Sequence, residues 1–346
     1  MVNPLKFIAC LLTLGFSIST GAQQVSYTVI EKDPDKYKRT ILYLDLINCD
    51  TYNDISAGYA AKLETVVGNR LMLWGQLKRS WLDAAARSRY NYPVAADGLQ
   101  KHAINDFGGV FFLTNKNKDK HVKVVLRSSS GGGYSYSKYI MVPATMKSHF
   151  GIRGGLFYNA KVLELDNDAH KRFRYESLDG TMNLPIEDVG SSAVQPAGNA
   201  YCPLPLMKAT SLYSGLHIRK ITNVRLKVGR YGKRANAKVV DVFADLMYGT
   251  STDISNVRDV DGVEWKILPQ NGAIRKIGWR IGYSIHSART FHYQYSAEFG
   301  RRPGAIVGDN FTSNGTYITL AMGVSIGSGQ YLHFKRKEKT GGSSSQ

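Results

Sequence analysis

The chain has 346 residues, 43% hydrophobic and 21% charged, enough apolar material for one large domain or two ordinary ones. Lys and Arg total 45 against 27 Asp and Glu, for a net charge of +18, and 21 Tyr exceed 13 Phe and 4 Trp. With 34 Gly but 10 Pro, disordered and collagen-like chains are excluded, and no interior run reaches the ~20 uncharged residues of a membrane-spanning helix.

The first 22 residues read as an export signal. Lys6 supplies the positive start, Phe7 to Ser19 the apolar stretch, and Thr20-Gly21-Ala22 the small residues of a cleavage site after Ala22. Residues 23–38 then form an N-terminal periplasmic segment before the first strand. Export permits a disulfide between Cys49 and Cys202, the two cysteines of the mature chain, although spacing alone does not pair them. Isolated as they are, they form no metal site, and no metal or other cofactor is expected.

From residue 39 onward the hydrophobic pattern has a period of two, the signature of strands with two unlike faces. Leu42, Leu44 and Leu46 alternate with Tyr43 and Asp45, and Ile55, Ala57, Tyr59, Ala61 and Leu63 with Ser56, Gly58, Ala60, Lys62 and Glu64. Gly68-Asn69 marks a turn, Ser80 to Ala86 a helical turn or two, and residues 85–106 a polar connection. The run Asn115 to Lys120 reads as another turn. Ser128 to Gly133 lacks the Gly-Lys-Ser/Thr ending of a phosphate loop and reads as a hairpin tip.

Beyond a second polar connection at 164–205, Leu212, Leu216 and Ile218 oppose Gly215, His217 and Arg219. Thr222-Asn223 reads as a turn, after which Val224, Leu226 and Val228 oppose Arg225 and Lys227. Val240, Val242, Ala244 and Leu246 oppose Asp241, Phe243 and Asp245. A connection at 250–272 leads to the cleanest hairpin, with Ile277, Trp279, Ile281, Tyr283 and Ile285 followed by Phe291, Tyr293, Tyr295, Ala297 and Phe299. After 302–314, Ile318, Leu320, Met322, Val324 and Ile326 share one face, in phase with Leu332 and Phe334. A polar tail, 335–346, ends the chain.

Runs of ten or more alternating residues are long enough to cross a bilayer when tilted, whereas sandwich strands seldom need that length. The face opposite the apolar one is rich in Gly, Ala and Ser as well as charges, which suits a confined lumen. Tyr43, Tyr52, Trp74, Trp81, Tyr139, Tyr158, Tyr213, Tyr248, Tyr317 and Tyr331 lie near segment ends, as the aromatic girdles of a membrane barrel do. The expectation is an all-β chain, a transmembrane antiparallel β-barrel of about 12–14 strands over residues 39–334. A barrel closes its hydrogen-bond ladder, which lipid requires.

The export signal, the Tyr-rich hairpins and segments such as Tyr231-Gly232-Lys233-Arg234 leading into Val239 to Tyr248 resemble outer-membrane β-barrel proteins of Bacteroidota. The resemblance covers most of the mature chain as a pattern and implies location in the cell outer membrane more than function. It departs from the usual pattern at the end, where the polar tail follows the terminal aromatic Phe334.

With the apolar face outward, a charged network fills the lumen: Lys62, Glu64, His149, Arg153, His217, Arg219, Arg225, Lys227, Asp241, Asp245, Arg280, His286, His292 and Glu298. Ile277, Trp279, Ile281, Ile318, Leu320, Met322 and Val324 are expected to face lipid, where a midplane Arg or Lys would cost ~2–4 kcal/mol. The leading expectation is a non-enzymatic structural or accessory subunit of an envelope assembly, such as secretion or barrel-insertion machinery. A porin-like channel for small polar or anionic solutes is one alternative. An outer-membrane lipid hydrolase around His286 and His292 is another, although no Gly-x-Ser-x-Gly or His-Glu-x-x-His motif supports it. The basic charge suits outer-membrane lipids and lipopolysaccharide phosphates, with Lys335-Arg336-Lys337 and the lysines of 116–123 as contacts. Other envelope proteins are the remaining expected partners, and export argues against nucleic acid.

Overall fold

A computed structural model of the protein describes residues 25–52, 55–68, 70–83, 94–95, 102–131, 134–163, 172–178, 205–258, 264–287, 291–306 and 315–331. The export signal, Cys202 and the tail beyond 331 lie outside the described residues. Fifteen strands are present among those described: β1 (Tyr27–Glu31), β2 (Lys38–Asp50), β3 (Ser56–Val67), β4 (Leu71–Asp83), β5 (Val94–Ala95), β6 (Ala103–Gly131), β7 (Tyr134–Val162), β8 (Phe173–Ser177), β9 (Leu206–Val228), β10 (Gly232–Ile254), β11 (Val257–Arg258), β12 (Glu264–Pro269), β13 (Ile277–Ser287), β14 (Phe291–Arg301) and β15 (Thr316–Tyr331).

Ten of them form one closed antiparallel barrel in the order β2-β3-β4-β6-β7-β9-β10-β13-β14-β15, with β15 paired to β2 and β7 to β9. Strands of period-two pattern pair this way because each ladder satisfies the backbone of its neighbour, and closure leaves no unpaired edge in the wall. The outward side chains are apolar and accessible: Leu63, Phe107, Ile152 and Leu216 are exposed, and Leu246 is 71% exposed. No helix among the described residues is long and apolar enough to cross a membrane.

A bulge in β2 resets its phase. Asp45 opposes Ala60 but Asn48 opposes Gly58, so Leu46 and Ile47, 61% and 46% exposed, both point outward and Asn48 and Asp50 turn inward. The Leu42/Leu44/Leu46 alternation therefore holds only to residue 46.

Four barrel strands run far past the wall. β6 and β7 have 29 residues each, roughly 95 Å at ~3.3 Å per residue, against a hydrocarbon core of ~30 Å. β6 loses its β4 partner beyond Phe111, and β10 pairs with β13 only from Lys238 to Tyr248. The continuations form two arms, β6–β7 and β9–β10, at the end of the barrel that also carries the Gly68 turn, where φ is 60°. β7 and β9 part beyond the Met146–Thr222 pair, and β1 takes the freed edge of β9, with Tyr27 opposite Val228 and Glu31 opposite Arg225. Val124, Leu126, Val142, Ala144, Val224, Leu226 and Val228 form a buried core between the arms.

These arms correct the expected organisation. Asn115 to Lys120 lies within β6, Thr222-Asn223 within β9, and Ser80 to Asp83 within β4 rather than in a helix. The count of 12–14 barrel strands becomes ten. Two double-length hairpins supply the alternating residues of four extra strands, and β5, β8, β11 and β12 belong to a separate small sheet, ordered β5-β11-β12-β8.

That small sheet covers the opposite, loop end. Tyr52, Leu163, Phe173, Met207, Trp265, Ile267, Ile306 and Tyr317 pack there as one cluster. At the arm end, residues 32–37 lie against the barrel mouth. The Asn223 side-chain amide donates to the carbonyls of Asp33 (2.9 Å) and Lys36 (3.0 Å), and Lys147 pairs with Asp35. Tyr37 is buried beside Val66, Met72 and Val239.

Candidate functional site: a lumen filled by arginine–carboxylate clusters

The lumen holds three clusters, each centred on a guanidinium with almost no exposure: Arg219 at 0%, Arg280 at 1% and Arg302 at 1%. Buried charges persist only when paired and hydrogen-bonded, and the planar fork of arginine meets carboxylates in a fixed geometry. The Arg219 and Arg280 clusters draw partners from facing as well as neighbouring strands, so their ion pairs also tie the wall across the lumen.

Nearest the arms, Arg219 on β9 donates through Nε to Asp241 Oδ1 (2.8 Å) and through Nη2 to Asp241 Oδ2 (3.1 Å) and Glu64 of β3. Lys62 Nζ lies 3.2 Å from the other Glu64 oxygen, and His217 Nε2 is 2.9 Å from Asp241 Oδ1. His149 packs 4.7 Å from the Phe112 ring. His286 meets Tyr43 edge to face, its Nε2 3.1 Å from the phenol oxygen.

In the middle, Arg280 on β13 donates through Nε to Asp245 Oδ2 (2.7 Å) and through Nη1 to Asp106 Oδ2 (2.7 Å). Tyr213 donates to the other Asp106 oxygen (2.7 Å), and Arg153 Nε lies 3.0 Å from Asp245 Oδ1. Aromatic faces sandwich both guanidiniums: Arg153 sits 3.8 Å over Phe243 and 4.7 Å over Trp74, and Arg280 4.3 Å over Tyr213. Glycine makes room for these rings. A Cβ at Gly282 would collide with Phe243, and one at Gly108 or Gly155 with the Tyr213 hydroxyl. Towards the loop end, Arg302 pairs with Asp50, which also accepts from Thr319 Oγ1 (2.8 Å), and its guanidinium lies 3.9 Å over Tyr317. Tyr317 in turn donates to Glu298.

Of the residues expected in the lumen, Lys62, Glu64, His149, Arg153, His217, Arg219, Asp241, Asp245, Arg280, His286 and Glu298 point inward on the barrel strands, all buried except the half-buried Lys62 and Glu298. Arg225 and Lys227 do not belong there. β9 carries them past the wall into the arm, where Arg225 is half-buried and Lys227 exposed. His292 stands half-buried at the arm-end rim, its Nδ1 accepting from the Tyr293 N–H (2.8 Å). The register sets Gln294 opposite His286 and Ser325 opposite His292, so the two histidines are not cross-strand partners.

On the outer face Ile277 (66%), Ile281, Ile318, Leu320 and Met322 are exposed, while Trp279 and Val324 are half-exposed. Trp279 packs edge-on to Phe299 at 5.2 Å. The aromatic girdle needs correction, because Tyr43, Tyr52, Trp74, Tyr213 and Tyr317 are buried inside the barrel or its loop-end cover. Trp81, Tyr139 and Tyr248 are exposed and Tyr158 half-exposed. The inward five stack on guanidiniums or fill space between them, a use that position near a segment end does not distinguish from a girdle.

Sequence reasoning missed Asp50, Asp106 and Arg302. Asp50 turns inward only because of the β2 bulge, while Asp106 and Arg302 sit at strand ends read as polar connections. Cys49 points outward from β2, opposite Leu320 and Ala57. Among the described residues no group of three His, Cys, Asp or Glu is placed to hold a metal ion.

Between the first two clusters a cavity of about 80 Å³ remains, bordered by Lys62, Trp74, Gln76, Asp241, Ser284 and Ser296 among others.

No family model matches the chain, and no curated protein is similar to it. Among solved structures it is similar to the CymD monoaromatic hydrocarbon channel at 9% identity and a TM-score of 0.27, over 88% of this chain and 95% of that one. A TodX deltaS2S3 mutant, also titled a monoaromatic hydrocarbon channel, gives 10% identity and 0.27 over 84% and 90%. A Pseudomonas aeruginosa FadL homologue gives 8% and 0.19 over the same shares, 84% and 90%. These scores reflect strands wound into a barrel and carry no argument about activity.

Proposed function

We propose that the chain is a non-enzymatic outer-membrane barrel whose lumen is sealed, and that it serves as a structural or accessory subunit of an envelope assembly of the kind its Bacteroidota-like sequence pattern suggests. Hydrocarbon is the solvent that matches the apolar outer face, because in water Ile277, Leu246 and Leu320 would form a broad exposed apolar surface. The observation that carries the sealed reading is the set of three clusters, Arg219–Asp241–Glu64, Arg280–Asp106–Asp245 and Arg302–Asp50, which succeed one another through the lumen. A channel lined for solute passage keeps its charges solvated along a water-filled path. Here they are buried against each other and against aromatic rings.

Purified full-length protein incorporated into a planar bilayer tests this. The expected record is a baseline without steady single-channel openings, and stable openings in the unaltered protein would overturn the sealed reading. One observation favours a second reading, a porin-like channel for small polar or anionic solutes. The cavity beside Ser284 and Ser296 is bordered by Lys62 and Lys78 and by the carboxylates of Asp45, Glu64, Asp106, Asp241 and Glu298, a polar space of mixed charge. In that reading the clusters would part during transport, and the same recordings would show stable openings whose selectivity a salt gradient reads.

A further inference from the structure

The two arms hold most of the excess charge of the molecule. Segments 114–147 and 220–238 contain fourteen Lys and Arg against the single Asp119, a surplus of thirteen out of the net +18 of the whole chain. Asp119 itself accepts a hydrogen bond from Thr145 (2.9 Å).

The core between the arms has a definite sense. In the barrel Leu212, Leu216 and Ile218 on β9 and Ile152 and Leu156 on β7 point outward. The same alternation continues into the arms, where it places Val224, Leu226, Val228, Val142 and Ala144 in the shared core. The β6–β7 arm is thus stacked on the outward side of the β9–β10 arm. The Asn236 side-chain amide ties the two, donating to the Lys123 carbonyl (2.8 Å).

This stacking leaves a groove of about 360 Å³ between the β6 arm and the wall, bordered by Lys123, Asn236, Lys238, Ile285, Tyr293 and Tyr295 among others, with no Asp or Glu in its lining. Tyr293 and Tyr295 are exposed on the outer face of β14. The barrel side offers Ile285, Tyr293 and Tyr295 together with the polar His286, Ser287 and His292, and the arm side offers Lys238 and the Asn236 amide, with Lys123 at the edge, its ammonium 4.2 Å over the Tyr139 ring. At the arm tip Tyr134 and Tyr136 are exposed beside Lys138.

We propose that this groove is a binding site for an anionic phospholipid, whose phosphodiester headgroup lies beside Lys238 and the Asn236 amide, with Lys123 at the edge of the groove, and whose acyl chain descends along Tyr293, Tyr295 and Ile285. The site rests on the membrane-barrel reading and adds to it a ligand class and a place. A groove edged by lysines and free of carboxylates, running onto the outward Tyr293 and Tyr295, suits a molecule with an anion at one end and hydrocarbon at the other, and a volume of this size falls in the range of small-molecule sites.

The test uses full-length protein in detergent micelles, titrated with fluorescent phosphatidylglycerol and, separately, with fluorescent phosphatidylcholine. Phosphatidylglycerol is expected to bind more tightly and to weaken as salt is raised. The Lys123→Gln/Lys238→Gln double variant is expected to lose about thirtyfold in its affinity. Equal binding of the two lipids, or an unchanged double variant, overturns the site. Displacement by inorganic phosphate alone would show a simple anion site and overturn the lipid assignment. Should the double variant fail to fold, the parent's lipid preference and salt dependence still decide the question. A chain that dissolves without detergent refutes the membrane-barrel reading, whereas one that needs detergent but does not discriminate the two lipids refutes only this proposal.

Discussion

Arg280 shows why the lumen is a cooperative unit rather than a lining. Its two hydrogen-bonded carboxylate partners come from β6 and β10 while the residue itself comes from β13, so one guanidinium spans the barrel. Removing one partner of a buried pair strands the other charge, a cost of ~3–5 kcal/mol. Arg280→Ala is expected to lower the unfolding free energy by about that amount, measured by urea titration of the folded protein in micelles. Lys227→Ala, in the exposed part of the β9–β10 arm, is expected to change it by less than ~0.5 kcal/mol. A second test concerns Gly282, where any side chain meets Phe243. Gly282→Ala is expected to destabilise by ~1–3 kcal/mol, and much of that loss is expected to disappear in the Phe243→Ala background, which a double-mutant cycle reads directly.

At the scale of elements, the arms are ribbons that leave the wall and depend on a small core of their own. Seven buried apolar residues hold them, and β1 adds one more strand on the edge of β9. A charge placed in that core at Leu226 removes its drive for association without touching the barrel. Leu226→Asp is expected to make residues 113–145 sensitive to limited proteolysis while the barrel fragment stays protease-resistant. Cleavage no faster than in the parent would show that the arms hold together by ladder hydrogen bonds alone. The alternation of β9 was legible on both sides of Thr222-Asn223, which read as a turn, because the face bearing Leu212 and Leu216 is the one bearing Val224 and Leu226. Its change of surroundings was not legible, since hydrocarbon and a protein core both select apolar side chains. The same ambiguity misplaced Arg225 and Lys227, which keep the inward phase after the lumen has ended.

For the molecule as a whole, closure and filling go together. Ten strands enclose a narrow interior, and charged and aromatic side chains occupy it through much of its height, with the 32–37 segment at one end and the small sheet at the other. Sealing by this means predicts a specific response. Weakening two clusters at once, in Arg280→Ala/Arg302→Ala, is expected to give intermittent openings in bilayer recordings where the parent is expected to give none. A silent double variant that is shown to be folded would mean that the end covers alone close the barrel.

The sequence by itself determined that the chain is built of strands with one apolar and one polar face, and that most of its charged lumen residues, from Glu64 to Glu298, share the inward phase. Alternation at period two is a local property, written residue by residue. Only the tertiary structure decided the number of barrel strands, the inward turn of Asp50, the pairing of Arg302 with it and the separation of the arms from the wall. Each of these depends on which distant strand lies alongside, and a period of two is indifferent to its neighbour.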